Sequence, residues 1–321
     1  MPHLRMIGMM TTVFARVSGL AGLALAATAV SVSVTTAAGQ KELIAHRGAS
    51  GHAPEHTRAA YEIAMQQGAD FVEQDLAVTK DGVLVCIHDD TLERTSNVAE
   101  VFPDRFTKEN VSRQPGKHWV VNDFTLEELR RLDFGRWYSA TFAGQTIVTF
   151  QEAIDLVKKN GKAGIYPELK SPPLYTGRGI DMLKIFADQV KKNGLDTPAS
   201  LKTFHVIVQS FDEPTIRRLA TELPTLPRVL LMSNFDKGGM TEARLKELKT
   251  FATGIGPEKR LIAQQPDVVA KAHAAGLTVT AWTFAAKDVK GYPSVKAEMS
   301  HFLYDLGIDA LFSNDPDQFP R

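Results

Sequence analysis

A TIM-type (β/α)8 barrel is the fold this sequence predicts, and three observations predict it. Residues 39–321 alternate short apolar, β-rich runs with amphipathic segments of helical period, an order that implies a parallel sheet covered by helices. The β-rich runs number eight, the strand count of a closed α/β barrel. No Gly-rich phosphate fingerprint follows any of them, which argues against a doubly wound nucleotide-binding sheet.

The chain opens with Arg5 and Arg16, an uncharged apolar run over 17–34, and the small residues Thr36, Ala37 and Ala38. That layout is a secretory signal peptide. Residues 1–38 are therefore expected to be a leader and 39–321 a single domain, periplasmic or secreted, with no stable membrane association once the leader is removed. An uncleaved anchor is the competing reading, because the run approaches spanning length. Gly, Ala, Ser and Thr dilute it, however, and the polar Gly39-Gln40-Lys41 follows. The 37 Lys and Arg balance the 37 Asp and Glu, and two of the arginines fall in the leader, so the remainder sits near −2. Such a balance offers no field for nucleic acid or a membrane surface. Cys86, the one cysteine, lies in an apolar run, so the domain folds without an intramolecular disulfide and the thiol reads as a small buried hydrophobe.

Strands are expected at 43–45, 71–77, 164–167, 205–209, 228–232, 251–255, 278–282 and 309–312. Helices are expected at 57–67, 150–159, 180–192, 213–222, 241–249, 267–275 and 296–306. One region breaks the alternation, a small insertion after the second strand at about 91–149. It holds Phe102-Pro103-Asp104-Arg105, Trp119, Trp137 and a short helix at 125–131, where Thr125 and Glu128 have the spacing of a capping box. The insertion reads either as a lid or wall over one end of the barrel or as decoration.

Chemistry concentrates at the strand ends. Glu73 and Asp75 are two apart on a strand, so they share a face while Val72 and Gln74 take the other. Paired carboxylates repel unless a cation sits between them, and the flanking Phe71, Leu76 and Val78 mark this strand as buried rather than a solvated edge. Glu168 closes Gly164-Ile165-Tyr166-Pro167, where a barrel delivers residues to its catalytic face, and Lys170 follows on the same side. Three carboxylates with no cysteine ligand describe a hard-cation site, Ca²⁺ or Mg²⁺ rather than Zn²⁺; the expectation places Ca²⁺ ahead of Mg²⁺, although the spacing does not choose between them. His46 and His88 each end an apolar run beside this site, an arrangement that suits a general acid and a general base. Arg47 offers a planar fork to an oxyanion such as a phosphate. The remaining histidines read as background, His56 least clearly because it lies in the loop after the first strand.

Assembled in order, these pieces resemble the glycerophosphodiester phosphodiesterase family, and within it the secreted periplasmic branch of Gram-negative bacteria. The matching motifs are AHRGAS at 45–50, PEHT at 54–57, EQDL at 73–76, TKDG at 79–82, HDD at 88–90, FPDR at 102–105, DFTLEEL at 123–129, IYPELK at 165–170, GIGP at 254–257 and NDP at 314–316. The resemblance implies a catalytic TIM barrel in which His46 and His88 act as acid and base and Glu73, Asp75 and Glu168 hold a divalent cation. It further implies that Arg47 binds phosphate, Trp282 lies at the substrate end, and Glu55 is a metal ligand or stands behind one. Lys170 is expected to join Arg47 on the phosphate. The implied reaction converts glycerophosphodiesters to glycerol 3-phosphate and an alcohol. Two other readings use the same residues: a phospholipase D-like enzyme on lysophospholipid or sphingomyelin, which needs an exposed apolar lip, and a non-catalytic capture protein for phosphodiesters.

Overall fold

Strands that are apolar on both faces need cover on both, and closing them into a ring with helices outside supplies it. A computed structural model describes residues 39–107, 116–235, 237 and 239–321; the expected leader at 1–38 and part of the 91–149 insertion lie outside the described residues. The strands are β1 (Glu42–Ala45), β2 (Phe71–Val78), β3 (Leu84–Cys86), β4 (Gly164–Leu169), β5 (Val208–Ser210), β6 (Arg228–Met232), β7 (Gly254–Pro257), β8 (Thr278–Phe284) and β9 (Ala310–Ser313). They run in the order β1-β9-β8-β7-β6-β5-β4-β2, and β2 pairs back onto β1. All eight of these pairings are parallel, so the barrel is closed. The short β3 folds back antiparallel on β2 outside this ring.

All eight expected strands form, two of them, β5 and β7, three residues later than apolarity suggested. β7 begins at Gly254 because Phe251 and Ala252 instead close the buried turn after the helix Glu242–Lys249, their N–H groups donating to Leu248 O, and a short apolar run does not distinguish such a turn from a strand start. The barrel interior packs Ile44, Phe71, Tyr166, Val229, Ala310 and Phe312. A larger core lies between sheet and helices, where Phe150 stacks on Phe186 with ring centroids 5.7 Å apart and both side chains fully buried. Each such side chain contributes roughly 1.5–3 kcal/mol through burial.

Side-chain caps set the starts of several helices. Thr57 caps Arg58–Gln66, and Thr149 forms a reciprocal box with Glu152 at the head of Phe150–Asn160, a helix closed by Gly161 at φ 72°. The Thr125 and Glu128 box expected within the insertion is present at Leu126–Leu129. Glycine is required at position 48, where φ is +78° and an added Cβ would lie 2.7–2.8 Å from atoms of Ala60. Gly48→Ala is therefore expected to destabilise the fold by about 1–3 kcal/mol, read as a lowered Tm in a thermal melt.

Candidate active site

Strand register brings the acids together. Asp75 of β2 pairs with Glu168 of β4, and Glu168 with Gln209 of β5, so three polar residues share one level of the barrel. Glu73 stands one inward-facing step below. The ligand oxygens of Glu73, Asp75 and Glu168 all lie within 4.8 Å of one another, and all three residues are buried. β2 is buried along its whole length, as its apolar flanks implied.

Cations and donors surround this cluster. The backbone N–H of Arg47 donates to Glu73 Oε2 at 2.9 Å, and Gln209 Nε2 donates to Glu73 Oε1 at 3.0 Å. Lys170 Nζ sits 3.2 Å from Glu168 and 4.0 Å from Asp75. Asp75 Oδ2 lies 3.4 Å from Arg47 Nε and 2.9 Å from Nε2 of His56, whose Nδ1 is 3.0 Å from the Tyr61 hydroxyl. Burial and the neighbouring carboxylates push Glu73 well above the usual range. Burial raises Glu168 to about 8 despite Lys170. Burial opposes ionisation of Asp75 too, but Lys170 and the His56 hydrogen bond outweigh it and hold it well below its ordinary value. Two buried carboxyls that resist ionisation beside a third that is ionised make an all-oxygen pocket with unmet demand for positive charge. A hard divalent cation fits that demand.

The histidines stand over the acids. His46 ends β1, with Nδ1 2.7 Å from Asn314 Oδ1 and Nε2 3.8 Å from Glu73. Burial, reinforced by Arg47, lowers it to about 3, so its imidazole is neutral. His88 follows β3 with Nδ1 2.6 Å from Asp89 Oδ1, a contact that does not use its Nε2. Backbone strain collects here as well. Among the described residues, the non-glycine positions with left-handed backbone are Arg47, His56 and Ser171, at φ 57°, 58° and 44°. Strain of this kind costs about 1–3 kcal/mol per residue and persists where the surroundings over-determine it.

His46, Arg47, Glu73, Asp75, His88, Glu168, Lys170 and Trp282 line one cleft of about 110 Å³. Glu55 does not line it: its carboxylate lies on Arg47 at 3.1 Å and on Arg94 at 2.6 and 2.9 Å, and the Arg94 and Arg47 contacts overcome burial to lower it to about 2. Sequence reasoning passed over His56, Gln209, Asn314 and the cleft wall formed by Phe211, Leu231 and Phe312. His56 and Asn314 fall inside the PEHT and NDP motifs, which were the available signal; Gln209 and Phe211 had none. Trp282 Nε1 donates to Gly256 O at 2.7 Å, and its ring meets the half-exposed Phe211 edge-on at 5.5 Å.

The profile of the glycerophosphoryl diester phosphodiesterase family matches residues 46–318. A glycerophosphodiester phosphodiesterase of Bacillus subtilis (strain 168) is 34% identical over 286 residues, covering 87% of this chain and 85% of that protein. A protein of the same name from Caldanaerobacter subterraneus subsp. tengcongensis is 31% identical over 277 residues, covering 86% and 94%. Among solved structures, an Oleispira antarctica phosphodiesterase in complex with the product sn-glycerol-3-phosphate superposes with a TM-score of 0.67 at 26% identity, covering 86% of this chain and 94% of that one.

Proposed function

The chain belongs to the glycerophosphoryl diester phosphodiesterase family, and from that premise we propose a metal-dependent, two-histidine hydrolysis of glycerophosphodiesters to glycerol 3-phosphate and an alcohol. The enzyme is a glycerophosphodiester phosphodiesterase; the metal, the roles of single residues and the address of the protein are our reading. One observation carries it: two strand-end histidines, an arginine and a lysine share a cleft with three clustered buried carboxylates.

Glu73, Asp75 and Glu168 would hold the cation, which supplies Lewis-acid stabilisation to the phosphoryl oxygens. All-oxygen ligation favours Ca²⁺ or Mg²⁺, with Ca²⁺ the first choice. Arg47 and Lys170 hold the equatorial oxygens as their negative charge grows. In the first step the glycerol 2-hydroxyl forms a bond to phosphorus and its proton passes to one histidine. The phosphorus–oxygen bond to the alcohol breaks, and the other histidine gives that oxygen a proton. Water then opens the cyclic phosphate with the two roles exchanged, leaving glycerol 3-phosphate.

The apolar wall of the cleft comprises Phe211, Leu231, Trp282 and Phe312. Only Phe211 of these is among the exposed large hydrophobic residues, so the wall suits a short alcohol better than an acyl chain. Residues 1–38 support export to the periplasm or beyond, with no lasting membrane attachment. Incubation of the purified protein with glycerophosphocholine is expected to release glycerol 3-phosphate in a coupled assay. Chelation should remove that activity and Ca²⁺ or Mg²⁺ restore it; a rate indifferent to chelator would sink the metal's part in the proposal.

A further inference from the structure

Arg94, from the 91–149 insertion, holds the partners of two cleft residues without lining the cleft itself. Its Nε donates to Asp89 Oδ2, and the other oxygen of Asp89 lies 2.6 Å from Nδ1 of His88. Its terminal nitrogens fork onto Glu55 at 2.9 and 2.6 Å, and Glu55 Oε1 also accepts from Nη1 of Arg47 at 3.1 Å. A guanidinium is planar and its donors are fixed relative to one another. Asp89, which orients His88, and Glu55, which holds Arg47, are therefore kept at one spacing. Trp137, also from the insertion, lies with its ring centroid 6.0 Å from the Arg94 guanidinium carbon, and the Tyr138 hydroxyl donates to Gly51 O at 2.8 Å, tying the insertion to the loop that carries Arg47.

We propose that Arg94 is a positioning residue, the bridge that sets the distance between the proton-transferring imidazole of His88 and the phosphate-binding guanidinium of Arg47. The insertion is then part of the catalytic machinery. This rests on the roles given to His88 and Arg47 above. Displacement at phosphorus needs a proton donor at the leaving oxygen and a donor fork at the equatorial oxygens together, and a misplacement of about 1 Å in such a pair costs on the order of 10²-fold.

The test uses the full chain with glycerophosphocholine. Arg94→Ala is expected to lower kcat by roughly 10–100-fold and to raise KM, with a thermal melt near that of the wild type. Guanidinium ion at millimolar concentration should restore part of the rate where sodium chloride of equal ionic strength does not. Asp89→Asn and Glu55→Gln should each reduce activity in the wild-type background and add little once Arg94 is gone. Wild-type kcat and KM in Arg94→Ala, or losses that multiply in full, would overturn the bridge, as would a rate loss matched by a lowered Tm without guanidinium rescue. Should Arg94→Ala fail to fold, Arg94→Lys keeps the charge but not the fork and is expected to show the same kcat deficit; wild-type kinetics there would also refute it. A wild-type chain that does not turn over glycerophosphocholine would sink the activity reading itself, an outcome distinct from an active enzyme indifferent to position 94.

Discussion

His88→Ala is expected to lower kcat by roughly 10²–10⁴-fold, the range that one positioned acid or base supplies, while the circular dichroism spectrum and Tm stay near those of the wild type. The structure makes this histidine the cleaner of the two to remove. Its side chain is one-third exposed and its ring contact is with the adjacent Asp89, which keeps a second partner in Arg94. No buried polar group is left unpaired and no core cavity opens. His46 differs, being bound to Asn314 and packed edge-on against Phe312 with ring centroids 6.3 Å apart. Alanine there would mix lost chemistry with lost packing. Cation binding to His88→Ala, followed by calorimetry, should match the wild type; a retained rate would remove His88 from the mechanism.

Glu168→Gln is expected to weaken cation binding and to lower activity by at least about 100-fold, and the metal-free protein supplies a second reading. Burial raises the Glu168 carboxyl from an ordinary 4.5 to about 8. A group whose pKa is higher folded than unfolded stabilises the fold fully below its unfolded value, and that contribution fades as pH rises through the folded one. Chelated wild-type protein should therefore lose thermal stability as pH climbs from about 4.5 toward about 8. Glutamine copies the protonated carboxyl and cannot ionise, so the variant should show a flatter profile. Added Ca²⁺ should raise the Tm of the wild type much more than that of the variant. Equal metal-induced shifts in the two proteins would remove Glu168 from the ligand set.

The barrel was legible because its strands are short apolar runs separated by segments of helical period such as Arg58–Gln66 and Phe150–Asn160. The acids were legible because Glu73 and Asp75 interrupt a largely apolar strand at a spacing of two, and because Glu168 ends another. Their supports were harder to read. Gln209 is 136 residues from the Glu73 it holds, and Asn314 is 268 from His46; a neutral amide at a strand end carries no local mark of such a partner. His56 is a loop residue whose reach to Asp75 depends on the left-handed backbone at positions 47 and 56, which no local pattern marks. Glu55 reads in the sequence as a ligand or a residue behind one, and in the structure its carboxylate is held by the guanidinium groups of Arg47 and Arg94. The insertion offered composition but no register, so Arg94 and Trp137 could not be tied to the cleft in advance.

Ring closure carries a temporal meaning. The imidazole of His46 is oriented by Asn314, just beyond β9, and β9 is the last strand to be synthesised and the one that pairs back onto β1. Helices along the chain can form from local contacts early, whereas this pairing spans nearly the whole sequence and carries a large loop-closure entropy. A partly folded chain could thus hold most of its secondary structure and still lack an oriented His46. Enzymatic rate is consequently a late reporter of folding, silent until the two ends of the domain have met.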